Sequence, residues 1–164
     1  MTETMRIIGI NPGTRYMGFA IFHGSELRDW GVKNIGGRWS KDKLKKAIEV
    51  ISDMIGHNEP SVLSIKQLNP SRSSRNLNLL VSKIMELSKR KRLKTYQYSI
   101  DDLKAFFHSG KINKRQLAEM LASDYPVLHY ELEKEKAIIN PYYVRMFEAV
   151  ALGSLCLNYL DGRR

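Results

Sequence analysis

An α/β fold, with a five-stranded mixed sheet flanked by helices in the order βββαβαβααα, is what this sequence predicts. Three observations carry it. Alternating apolar stretches crowd the first 35 positions, segments with helical spacing separate two later apolar runs, and 164 residues suffice for one such unit but not for two full-size lobes around a cleft.

The alternation at 6–11, 17–23 and 27–35, broken by Pro12-Gly13-Thr14-Arg15 and by a turn near Gly24-Ser25, predicts three antiparallel strands. Ser40 can cap a helix whose apolar positions Leu44, Ala47, Ile48, Ile51, Met54 and Ile55 keep helical spacing until Gly56. After Pro60, residues 61–65 form a short run of the length of a buried central strand, and a polar loop occupies 69–74. Leu77, Leu80, Val81, Ile84, Met85 and Leu87 mark a second helix that ends in Lys89-Arg90-Lys91-Arg92, and 94–98 reads as the fifth strand. Two short helices are expected at 100–107 and 113–123, and the charged stretch 124–139 gives no assignable pattern. Asn140 and Pro141 form a cap and first-turn pair for a closing helix to about residue 160.

Composition narrows the partners. The 27 Lys and Arg against 17 Asp and Glu give a formal net charge of +10, which favours polyanions. The lone cysteine, Cys156, lies in an apolar run, so it reads as a small buried hydrophobe and no disulfide within the chain is expected. The chain enters a strand almost at once, without a leader pattern, and no apolar run reaches membrane-spanning length, so a soluble cytoplasmic protein without a membrane partner is expected. His23, His57, His108 and His129 lack metal-ligand spacing.

Residues 7–20, with Gly9-Ile10-Asn11-Pro12-Gly13-Thr14 and then Gly18, resemble the first strand and turn of the RuvC-type Holliday junction resolvases of the RNase H-like superfamily. That pattern has Asp where Asn11 stands. Residues 63–68 resemble the family's fourth strand, with Lys66 in place of a Glu before Gln67. Residues 98–104, followed by Gly110, Lys114, Gln116 and Leu117, resemble the Lys-rich segment that the family uses beside its substrate. Residues 144–152 resemble its last helix, where Arg145 and Glu148 take the places of two Asp. The resemblance implies an RNase H-like fold over residues 1–164, branched or duplex DNA as partner, a homodimer, and a place in DNA recombination and repair.

The substitutions bear on chemistry. Family carboxylates gather divalent ions that activate water and stabilise the leaving oxygen. Here the same positions hold one neutral, two positive and one negative side chain. At an effective dielectric of about 20, unit charges about 4 Å apart interact by roughly 4 kcal/mol, and an ammonium opposes a divalent ion by about twice that. The expectation is a pseudonuclease without a metal cofactor. Lys66 and Arg145 could then act as built-in counterions for Glu148. Arg145 and Glu148 could equally form an ordinary intrahelical pair at i, i+3.

Nucleic-acid contacts are expected from Lys66, Arg72, Arg75, Lys83, Lys111, Lys114 and Arg115. From Lys66 to Lys94 nine cations stand against Glu86 alone, a density that suits phosphate tracking. Leu68-Asn69-Pro70 lacks the aromatic residue that the resolvases often carry in this loop. Two other functions fit the scaffold: an active junction endonuclease using Mg²⁺ held by relocated carboxylates among Asp101, Asp102, Glu131, Glu133 and Glu135, or a structural subunit without DNA. Gly9-x-Asn11-x-Gly13-Thr14 also resembles the phosphate hairpin of actin-like sugar kinases, but the second lobe is missing.

Overall fold

The computed structural model describes residues 5–69, 71–107, 113–137 and 141–162. Strands β1 (Arg6–Asn11), β2 (Tyr16–His23) and β3 (Glu26–Asn34) form the antiparallel meander. Strands β4 (Val62–Lys66) and β5 (Lys94–Tyr98) continue the sheet in parallel from β1, giving the order β3-β2-β1-β4-β5. This is the five-stranded mixed sheet that the sequence predicts.

Helices α1 (Lys41–Asn58) and α2 (Arg75–Arg90) are set by Ser40 and Ser74, whose hydroxyls accept from Lys43 N and Leu77 N, each at 3.1 Å. The first runs two residues past the expected stop at Gly56. It ends where Pro60 bars Glu59 from the right-handed helix, and Glu59 adopts φ 49°. Their apolar faces cover Ile8, Ile10, Leu63 and Ile65 on one side of the sheet.

The other side carries α3 (Ile100–Phe107), α4 (Lys114–Asp124), α5 (His129–Ala137) and α6 (Pro141–Leu160). Asn113 and Gln116 close a reciprocal capping box on α4 at 2.8 and 3.0 Å. A 3₁₀ turn at Pro126–Leu128 and α5 fill the stretch that the sequence leaves unassigned, so four helices follow β5 rather than three. The cap expected at Asn140 lies outside the described residues.

α6 packs directly on backbone. A Cβ on Gly9 would overlap the Ala149 carbonyl oxygen, and one on Gly18 the Arg145 carbonyl oxygen. These two glycines let the helix settle against β1 and β2, and Ser64 Oγ donates to Leu152 O at 2.7 Å from β4. Cys156, on the same helix, is fully buried, and burial pushes its thiol up to about 11. A thiol reagent at pH 8 is therefore expected to leave the native protein unlabelled and to react only as denaturant unfolds it. Labelling at the rate of free cysteine in native buffer would contradict this packing.

Candidate functional site

Strand alternation builds the site. Ile10 and Ile65 are register partners facing α1 and α2, so the next residues, Asn11 and Lys66, end neighbouring parallel strands and face α6. From α6, Glu148 turns its carboxylate between them. Asn11 Nδ2 donates to Glu148 Oε2 at 2.7 Å, and Lys66 Nζ lies 3.4 Å from Oε1. The Glu148 side chain is 4% exposed and that of Lys66 22%. A carboxylate so deeply placed needs both a counter-charge and a donor, and the two strand ends supply them.

Arg145 takes a different partner from the one its spacing suggests. It does not pair with Glu148. Its Nη1 donates instead to the Pro12 carbonyl at 3.0 Å, tying α6 to the turn between β1 and β2. The reason is directional: Glu148 points into the sheet, while the longer Arg145 side chain reaches past the strand end. The four positions that the sequence singles out thus converge, but as a Lys66–Glu148 pair braced by Asn11, with Arg145 holding the adjoining turn.

Asn11 is fully buried, and its Oδ1 has no hydrogen-bond donor among the described residues. That oxygen and the Glu148 carboxylate are the anionic or neutral oxygens the cluster offers. Both Glu148 oxygens are already engaged, one of them by an ammonium at 3.4 Å. Such a donor set does not suit a divalent ion, which requires several oxygen ligands and no neighbouring cation. Nor do the other carboxylates gather: among the described residues no group of three or more His, Cys, Asp or Glu could hold a metal. Asp102 instead completes a reciprocal box with Ser99, which caps α3: it accepts from Ser99 N at 2.8 Å while its own N–H donates to Ser99 Oγ. Glu131 accepts from Trp30 Nε1 at 3.0 Å and fastens α5 to β3.

The expected basic contacts fall in several places. Arg72 is exposed on the loop after β4, which is bound to itself: Asn69 Oδ1 accepts from Ser71 N and Oγ at 3.1 and 2.7 Å, and Asn69 O from Arg72 N and Ser73 N. Arg75 opens α2 and is exposed. Lys114 and Arg115 open α4, where Arg115 pairs with Glu119 at 3.5 Å and Lys114 lines a groove with Lys104 of α3. Helix N-termini favour anions, so cations in the first turns of α2 and α4 work against their own helices. Lys83 lies away from this edge, on the side of α2 that meets α1, and pairs with Glu86 at 3.3 Å. Lys111 lies outside the described residues. The Pro12 carbonyl and the loop-binding role of Asn69 have no side-chain signature in the sequence beyond Asn69 being a turn former.

No protein-family model matches the chain. It is 28% identical over 123 residues to the crossover junction endodeoxyribonuclease RuvC of Prochlorococcus marinus strain AS9601, an alignment covering 70% of this chain and 78% of that protein. The RuvC of strain MIT 9312 is 27% identical over the same length. In structure the chain is similar to Thermus thermophilus RuvC in complex with Holliday junction substrate, with a TM-score of 0.73 at 14% identity over 96% of both chains. A second Thermus thermophilus RuvC structure gives 0.71 at 13% identity, over 96% of this chain and 97% of that one. At these identities the structural likeness speaks for the fold.

Proposed function

We propose that this chain, which is similar in sequence to RuvC proteins and shares the fold of one, is a RuvC-type protein that binds branched DNA and does not cut it. The observation that carries this reading is the partly buried Lys66–Glu148 pair, with its ammonium 3.4 Å from the one carboxylate of the cluster. A cluster neutralised from within has little to offer a divalent ion, and we include no metal cofactor in the reading.

Binding itself is supported by the net charge of +10 and by Arg72, Arg75 and Lys114, exposed cations with no acidic partner within ion-pair distance among the described residues. The cations that open α2 and α4 gain from a phosphate what they forgo in the helix dipole. The resolvase solved with a Holliday junction makes the four-way junction the substrate to try first. Such a junction has two-fold symmetry, so a pair of chains would present two equivalent sites to it; Leu79, 42% exposed on α2, is an apolar residue available for that contact. No helix among the described residues is long and apolar enough to cross a membrane. The proposed DNA partner, and not that absence, is the ground on which we propose a cytoplasmic protein.

The test is a titration of four-way junction and matched linear duplex, in Mg²⁺ and in chelator, across salt concentrations, with cleavage read on the same gels. Junction binding is expected to be unchanged by chelator, free of nicking, and steeply salt-dependent, with a log–log slope of about −4 to −5 for roughly five phosphate contacts. Nicking that appears with Mg²⁺ or Mn²⁺ would restore the endonuclease reading. Absence of any binding would leave a structural subunit.

A further inference from the structure

The cations that the sequence presents as one run are divided by the fold. Arg75 and Arg90 sit at opposite ends of α2, roughly 22 Å apart at about 1.5 Å per residue. The far part of α2 faces α1, on the side of the sheet opposite α6. Between the two helices lies a groove of about 540 Å³ lined by Lys41 and Lys45 from α1, by Lys83 and Arg90 from α2 and by Lys91 just after it, against a single acid, Glu49.

All five cations are exposed. Lys83 pairs with Glu86, but among the described residues the other four have no carboxylate within ion-pair distance. The dipole of α2 accounts for Arg90 in its last turn, whereas Lys41 begins α1, where a cation is disfavoured. Like charges gathered along a groove repel one another unless an anion sits among them.

The chemistry of the groove points to phosphate rather than to protein. Its floor, Leu44, Ile48 and Leu87, is half-buried or buried and lies under lysine stems that carry their charge outward. The exposed large apolar side chains, Leu79, Val127, Tyr130 and Tyr159, are not among the residues that line it. A protein partner would need such an anchor; a phosphodiester backbone needs only spaced cations.

We propose that the α1/α2 groove is a second binding surface, which takes the phosphodiester backbone of a duplex other than the one held at the Asn11–Lys66 edge. The class of partner rests on the nucleic-acid reading above, but neither junction preference nor absence of cutting is required. A protein with two such surfaces bridges DNA segments.

The experiment loads the protein onto a bead-bound four-way junction and then adds a short fluorescent duplex. The wild type is expected to capture the duplex. The variant K45Q/R90Q/K91Q, whose changes are all at exposed positions and whose melting temperature is checked, is expected to load normally and lose at least tenfold of the capture. K41Q/K45Q, which leaves α2 untouched, loses part of it. In solution, duplex binding by the triple variant becomes less salt-dependent by a slope of about 2.7, at about 0.9 per lost contact. Equal capture by wild type and triple variant overturns the proposal. So does loss of loading in step with loss of capture, which makes the groove part of one continuous surface, and so does displacement by polyglutamate as effective as by duplex at equal charge. If the wild type ignores the junction but binds duplex through the groove residues, the junction reading fails and the groove stands; if it binds neither, both fall.

Discussion

Gly18→Ala is expected to remove the cooperative thermal transition or to lower stability by about 3 kcal/mol or more, the upper range for overpacking. The added methyl would overlap the carbonyl oxygen of Arg145, and backbone cannot rotate away as a side chain can. To make room α6 would have to lift, while its neighbouring turns are held by Gly9 against Ala149 and by the Ser64 bond to Leu152. Lifting also withdraws Glu148 from Asn11, so the site would be lost with the packing. Gly56→Ala is the control of opposite sign. It lies in α1, exposed, with nothing within 4 Å of a built Cβ, and alanine there should add about 0.5–1 kcal/mol through helix propensity. Melting curves of the two variants decide the matter; an unchanged transition in Gly18→Ala would mean that α6 does not sit as closely as described.

Lys66→Met is the other change of large expected effect. Removing one partner of a buried ion pair costs about 3–5 kcal/mol when both are fully buried. Because Lys66 keeps 22% of its side chain exposed, about 2–3 kcal/mol is the expected loss. Glu148→Gln should cost less, about 1 kcal/mol, since Lys66 can turn its ammonium to water and the amide can still accept from Asn11. The double change K66M/E148Q is expected to come back close to wild type, because no charge remains to be desolvated. Denaturant titration of the four proteins gives the coupling energy, and additive losses would show that the pair contributes no interaction of its own.

What the sequence makes legible follows from how local each signal is. β1, β5 and α3 begin and end where expected; in the sequence Pro12-Gly13 marks the end of β1 and Ser109-Gly110 that of α3. The meander and the two helices behind it are written in periodicity that needs no tertiary information. α5 is different. Glu131, Glu133 and Lys134 surround a lone buried Leu132, so no apolar stripe marks a helix, and its hold on the fold comes from Leu132 in the core and from Trp30, a hundred positions earlier. The same divide runs through the site. Family resemblance together with strand parity brings Asn11, Lys66 and Glu148 to one place, whereas the bond from Arg145 to the Pro12 carbonyl could not be read, because every residue carries a carbonyl and sequence gives no sign of which one is free. The expected i, i+3 pair of Arg145 and Glu148 fails for a related reason: spacing puts two side chains on one helix face but does not say that one of them has a deeper partner.

The Lys66–Glu148 pair also bears on how such a site can change over generations. Replacing Lys66 with Glu alone would set a second carboxylate against Glu148, a repulsion of roughly 4 kcal/mol at about 4 Å and an effective dielectric of about 20, with no cation gathered to relieve it. Replacing Asn11 with Asp alone would exchange the amide that donates to Glu148 for another acceptor. Each single step toward an acidic centre leads downhill in stability, and only several together would supply the oxygen ligands that a divalent ion requires. A counterion attached by a covalent stem therefore differs from a bound ion in one respect: it cannot dissociate, so the charge of Glu148 is answered whatever the ionic conditions.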